Sequence, residues 1–329
     1  MAQSTSLGED LETGEEQRYQ RLLDYDLPDA AIRRYLDQRS IEVPGVTTDT
    51  KQRVAQKLDD EQIEALISEY KFAGQQSINY YLITGVERKN YDDLVSEIEV
   101  QAPSSKQEVG VREPYLASAD QLKGNLYLSF GYIESTGDTD PVTGIQQNKE
   151  IRGRCVAVLR DETDLVSIRC TDENIAKKVA RQITSGLKIE RESAAYQPEF
   201  GHKFEEKFRN ELIEKYYSLK IRINDQAGRT VDTIEYKAKT DEEGEREDAR
   251  EDKDVSRQLD EHGGDIRMGY VELKNGSKFY MNRDKSKISF VKCEQEEQIN
   301  EITEVFDDVL RQTGEYPQQK LEGIGNVPE

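Results

Sequence analysis

Tryptophan is absent from the 329 residues, and histidine (2), cysteine (3), methionine (3) and proline (8) are scarce. Each scarcity removes a class of chemistry. The two histidines, His202 and His262, come with no Gly-x-Ser-x-Gly elbow and no Cys–His grouping, so nucleophilic hydrolysis lacks its base. An odd number of cysteines without a Cys-x-x-Cys pair argues against a disulfide framework and a zinc knuckle, and predicts a reducing, cytoplasmic home. No apolar run approaches the roughly eighteen residues of a spanning helix, and no hydrophobic stretch follows a basic start, so neither a membrane protein nor a secreted precursor is expected. Neither the Gly-x-x-x-x-Gly-Lys phosphate loop nor Gly-x-Gly-x-x-Gly occurs. Asp138-Thr139-Asp140 opens like a calcium loop, but Val142, Gly144 one place late and Lys149 in place of the bidentate Glu make it a polar hairpin turn. No resident metal or cofactor is expected.

Charge is what the chain has in plenty. Charged residues make up 34% and apolar types 35%, and 67 acidic against 46 basic side chains give a net charge of −21. An average protein has about 25% charged and about 45–50% apolar residues. Because the acid is spread along a chain whose strands and helices are legible, the composition resembles that of haloarchaeal proteins, where dense carboxylates keep a protein hydrated in salt.

The length predicts two domains. Residues 1–16 read as a disordered acidic tail and 17–85 as a helical domain. Pro28 opens a helix carrying Ile32, Tyr35 and Leu36, and further helices are predicted at about 49–58, 60–70 and 75–83. Residues 86–118, with Ser, Lys, Gln and Pro around 103–113, read as a linker. An α+β domain follows over 119–313, with a charge-dominated acidic insert at 240–262 and a tail at 314–329. Its strands are expected at about 125–134, 152–160, 165–170, 219–223, 230–239, 266–274, 277–282 and 287–293. Helices are expected at about 173–185, 199–217 and 297–311.

One internal register aligns Arg160, Asp161, Leu165, Ile168, Arg169 and Cys170 with Arg283, Asp284, Ile288, Val291, Lys292 and Cys293 without a gap. Each copy, near 152–185 and 276–311, reads as a hairpin with an Arg-Asp turn followed by a helix. The expected product is one antiparallel sheet with a helix from each half on one face, and Cys170 and Cys293 in the core.

Two basic islands stand out. Between Ile32 and Leu58, Arg33, Arg34, Arg39, Lys51, Arg53 and Lys57 outnumber Asp37, Glu42 and Asp49. Lys177, Lys178 and Arg181 share one helix face, with Lys188 and Arg191 beyond. Such cations would neutralise phosphates. Tyr35, Leu36, Arg39, Ser40 and Ile41, a Gly45 turn, then Lys51, Val54, Lys57 and Leu58 resemble the SAP module, a helix–extended loop–helix DNA binder. Ser40 stands where that module has Gly, and the connection from Ile41 to Lys51 is several residues longer. A helical domain, a linker and a β-rich domain ending in hairpin plus helix is similar to the kinetochore centromere protein N family, with Leu27-Pro28, Ile32, Tyr35, Leu36, Lys51, Val54 and Tyr80-Tyr81 as local echoes. These resemblances imply a DNA-associated or chromosome-associated adaptor.

Three readings stay open. The first is a non-catalytic adaptor touching DNA through the helical domain and using the sheet domain for protein contacts or self-association. The second is a Mg²⁺-dependent nuclease, because Asp225 and Glu235-Tyr236-Lys237, with Glu211 nearby, are similar to the Asp…Glu-x-Lys pattern of restriction nucleases. Asp265 with Glu272-Leu273-Lys274 is a second such set, and cross-strand salt pairing accounts equally for both. The third is a protein-binding scaffold without nucleic acid.

Overall fold

The structure is a computed structural model that describes residues 13–24, 27–43, 50–72, 77–83, 90–101, 113–122, 124–139, 146–161, 163–187, 195–198, 200–223, 233–240, 246–291 and 294–313. Most of the acidic tail, the tail at 314–329, and the sequence-selected Asp225, Lys188, Arg191 and Cys293 lie outside these residues. The chain forms two compact units, one within 1–74 and 292–301, the other within 75–291 and 302–329.

The first unit is all helical: α1 (Thr13–Asp24), α2 (Asp29–Gln38), α3 (Thr50–Lys57) and α4 (Asp60–Tyr70). Pro28 precedes α2, as expected for a residue whose missing N–H costs nothing at a helix start. Asp59 and Gln62 close a reciprocal capping box on α4, each side chain accepting from the other's backbone N–H. Leu22, Ile32, Tyr35, Val54, Ile63, Leu66 and Tyr70 meet in one core. Ser40, in the place of the SAP glycine, takes the left-handed conformation (φ 52°) that favours glycine.

The second unit is an α+β fold. Its strands are β1 (Ser77–Ile83), β2 (Tyr115–Leu122), β3 (Asn125–Thr139), β4 (Gln146–Arg160), β5 (Thr163–Arg169), β6 (Ala195–Tyr196), β7 (Ile213–Arg222), β8 (Thr233–Lys237), β9 (Asp265–Leu273), β10 (Lys278–Asn282) and β11 (Lys287–Phe290). Its helices are α5 (Tyr91–Gln101), α6 (Glu173–Gly186), α7 (His202–Glu211), α8 (Lys253–Asp260) and, from Ile302 onward, α9 (Glu296–Thr313). The sheet order is β2-β3-β4-β5-β1-β11-β10-β9-β7-β8, with β6 beside the end of β1, and every pairing is antiparallel. From Tyr132↔Gly153 to Thr139↔Gln146, β3 and β4 run on as a two-stranded ribbon with no third strand among the described residues.

Four expectations are corrected. Residues 77–83 form the central strand, not a helix: all seven are buried, so both faces are apolar and no period of two marks them. The expected linker contains α5 and the start of β2, because Tyr91, Leu94, Val95 and Ile98 recur at helical spacing and pack in the core. The helix expected over 199–217 ends at Glu211, and Ile213 begins β7. Within 246–262 the acidic insert carries a 3-10 turn (Ala249–Glu251) and α8, which buries Val255.

The fifth correction concerns the duplication. Both hairpin–helix units exist, β4-β5-α6 and β10-β11-α9, but their helices lie on opposite faces of the sheet. Tyr81 and Val166, paired across β1 and β5, belong to the core with α5 and α6. Tyr80, the next residue on β1, points the other way and stacks on Phe306 of α9 at 5.1 Å. Strands β5 and β11 are both antiparallel to β1, hence parallel to each other. A half-turn about β1 therefore relates the halves, and such a rotation exchanges the faces. The ungapped alignment pairs Leu165 with Ile288, which stand on the same side, so structural equivalence is one residue out of that register: a one-residue slip flips a strand's faces.

In the first half, Leu128, Phe130, Ala157 and Ile168 of the sheet share a core with Ile175, Val179 and Ile183 of α6, and α5 and α6 approach closely where a Cβ on Gly186 would meet Ile98 at 2.7 Å. Cys155 and Cys170 are both in this core, and burial pushes the Cys155 thiol up. In the second half the opposite face is an aromatic core. Phe306 has ring centroids of Phe208, Tyr80, Phe200, Phe204 and Phe279 at 4.8, 5.1, 5.3, 5.5 and 6.4 Å.

Candidate nucleic-acid interface

The face that α5 and α6 cover in the first half of the sheet continues into the second half with other residues. Along β9 and β10 the buried side chains, Val271, Leu273, Phe279 and Met281, alternate with Tyr270, Glu272, Lys278 and Tyr280. The antiparallel register stacks the second set into rungs. Lys215, Glu272 and Lys278 form one; Lys237, Ser218, Tyr270, Tyr280 and Ser289 form the next; Glu235, Lys220, Met268, Asn282 and Lys287 form the third. Gly269, between Met268 and Tyr270, faces the other way, where the ring of Tyr216 lies so close that a Cβ would meet it at 2.9 Å.

A bulge between Tyr216 and Ser218 on β7 adds Tyr217 to the face. Three rings then stand in a row. Tyr217 and Tyr270 are 5.3 Å apart at 38°, and Tyr270 and Tyr280 are 4.6 Å apart at 24°. Lys278 donates to the Tyr217 hydroxyl at 2.8 Å, and that hydroxyl donates to Glu272. This relay fixes the Tyr217 ring, over which the Lys278 ammonium lies at 4.8 Å. The Tyr217 bond and then the Glu272 charge, opposed by burial, raise the Lys278 pKa, so the ammonium stays charged at neutral pH. Burial, against the pull of Lys278, raises that of Tyr270, which stays neutral.

The row lines an open cleft of about 670 Å³, with Lys215, Arg246 and Lys278 against one carboxylate, Glu272, among its lining residues. Three large apolar side chains stand out in solvent among the described residues: Leu23 (40% exposed), Tyr280 (49%) and Val291 (47%). The last two rim this cleft. Flat aromatic faces beside cations can stack bases and pair with phosphates.

The sequence-selected cations are elsewhere. Arg34 pairs with Glu294 at 2.6 Å, and Arg39 pairs with Glu69 while lying 3.9 Å above the Tyr35 ring. Arg33 is exposed on α2; on α3 Lys51 is half-buried, and Arg53 and Lys57 are exposed. Lys177 and Arg181 are exposed on α6, and Lys178 pairs with Glu113 at 2.5 Å. The first island thus belongs to the helical unit and the second to the sheet unit. Most of the extended SAP-like loop, residues 44–49, lies outside the described residues.

Among the described residues, the carboxylates of the nuclease reading pair with cations. Glu235 sits opposite Lys220 on β8 and lies 3.6 Å from it and 3.5 Å from Lys237. Asp265 pairs with Arg283 and, at 3.3 Å, with Arg267. Lys274 donates to the Glu211 carbonyl at 2.6 Å, and the Glu211 carboxylate pairs with Lys207. Among the described residues no group of three or more His, Cys, Asp or Glu is placed to hold a metal ion, and no helix is long and apolar enough to cross a membrane.

Tyr217, Tyr270 and Tyr280 did not emerge from the sequence, although a signal for two of them existed. Lys274-Asn275-Gly276 reads as a three-residue hairpin loop with Gly276 in the left-handed position (φ 84°), and a loop centred on Asn275 puts residue 270 opposite 280. No protein-family model matches the chain, and no curated protein sequence matches it.

Proposed function

We propose that this protein is a non-catalytic adaptor that associates with nucleic acid, with the tyrosine face of the sheet unit as its contact surface. One observation carries the reading: a row of three tyrosines on a sheet face that no helix covers among the described residues, beside a cleft whose described lining is net positive, in a chain of net charge −21. An acidic chain repels polyanions, so contact needs a local reversal of sign, and Lys215, Arg246 and Lys278 supply one. In the helical unit Arg34 and Arg39 pair with Glu294 and Glu69, as Lys278 pairs with Glu272 at 3.3 Å, so what favours the sheet face is the tyrosine row beside its cations.

The test is a fluorescence anisotropy titration with single-stranded and duplex oligonucleotides at several salt concentrations. Three neutralised phosphates predict that log K falls with log salt at a slope of about −2 on single strands, or about twenty-fold weaker binding between 50 and 200 mM. Lys278→Glu or Lys215→Glu should weaken binding and flatten that slope; Lys57→Glu should leave both unchanged. Absence of binding to either form at low salt overturns the reading.

A further inference from the structure

Resting on that reading, we propose that the tyrosine face binds unpaired nucleotides, DNA or RNA, by stacking a base on Tyr280, the exposed end of the row, and discriminates against duplex. The rung bearing Tyr270 and Tyr280 lies between two rungs that each carry two lysines and one glutamate, Lys215, Glu272 and Lys278 on one side and Lys220, Glu235 and Lys287 on the other. A strand crossing the rings therefore meets a cation on either side of its stacked base.

The geometry disfavours a duplex. In B-DNA each strand's bases are stacked 3.4 Å apart, so the ring faces that tyrosine would contact are already covered. The major groove admits a helix or a two-stranded ribbon, whereas this face is four strands wide, from β7 to β11. An unpaired stretch exposes its base faces and bends over a flat sheet. Stacking tolerates any base, so weak sequence preference is expected. Ser218 lies on the same face, where its hydroxyl can meet a base edge.

A protein partner fits the same tyrosines less well. Lysine is depleted in protein–protein interfaces, and Lys215, Lys220, Lys237 and Lys278 all lie on this face.

The experiment titrates the full-length chain with fluorescent oligothymidylate and oligouridylate of about twenty nucleotides and with a duplex of equal length, at low salt. Wild-type protein should prefer single strands by tenfold or more. Tyr280→Ala, at an exposed position that tolerates truncation, should weaken single-strand binding roughly tenfold, and Tyr280→Phe should retain it. A 2-aminopurine oligonucleotide should be quenched by wild type and not by Tyr280→Ala. Equal or tighter duplex binding, or Tyr280→Ala binding like wild type while Lys278→Glu does not bind, overturns the stacking proposal and leaves the nucleic-acid reading standing. Loss of all binding in the wild type overturns both. The thymidylate and uridylate arms decide between DNA and RNA.

Discussion

Phe306 is the side chain on which the second half of the sheet depends most. It is fully buried on α9 and touches rings from β1, from β10, from α7 and from Phe200 just before α7. Truncating a buried Phe to Ala costs about 3–5 kcal/mol, and ring–ring contacts add about 0.5–1.5 kcal/mol each without summing linearly. Five ring neighbours on four chain segments leave the surroundings little freedom to collapse, so Phe306→Ala should lie near the top of that range, at about 4–5 kcal/mol. Phe306→Leu, which keeps most of the volume, should cost about 1–2 kcal/mol. The assay is urea unfolding followed by far-UV circular dichroism, with attention to the transition of the sheet unit. At about 2 kcal/mol per molar urea, Phe306→Ala lowers its midpoint by about 2 M. A loss below about 1.5 kcal/mol would refute the idea that this cluster is a rigid core, because only one that closes over the gap could lose so little.

Two other sites give sharp expectations. Glu205 is buried, and burial, against the pull of Arg209 and Arg283, raises its pKa. The native state then holds that proton to higher pH than the unfolded chain does, so this residue's contribution to stability falls as pH rises from the ordinary carboxylate range through the raised value. Glu205→Gln should flatten that decline, measured as urea midpoints between pH 4.5 and 7; an unchanged pH profile would count against it. Glu235 bridges two exposed lysines, so Glu235→Ala should change stability by less than about 1 kcal/mol and leave plasmid DNA untouched with Mg²⁺, as the wild type does. Mg²⁺-dependent cleavage by the wild type that disappears in Glu235→Ala would restore the nuclease reading.

Several elements were legible because their burial is periodic along the chain. Ile175, Val179 and Ile183 mark α6, Ile299, Ile302, Phe306 and Leu310 mark α9, and Leu126, Leu128 and Phe130 mark β3. Helix α5 carried the same kind of signal in Tyr91, Leu94 and Ile98 and was lost in the linker composition that follows it. Strand β1 carried none: Ser77–Ile83 is apolar on both faces, and a fully buried strand has the same local pattern as a buried helix segment. The basic islands were legible as charge, but not their commitments. Glu69 and Glu294 lie 30 and 260 residues from the arginines they hold.

By itself the sequence determined the α+β class, the positions of the hairpins, the two hairpin–helix units and the excess of acidic residues, because each is written in short-range periodicity, turn chemistry or composition. Only the tertiary structure decided which face each helix covers, and so which tyrosines stay in solvent. Alternation along a strand says that two faces differ, not what packs on either. Strand β1 lies between two strands of like direction, which puts α5 and α6 on one side of the sheet and α7 and α9 on the other. Among the described residues, the Tyr217–Tyr270–Tyr280 face is what that arrangement leaves uncovered.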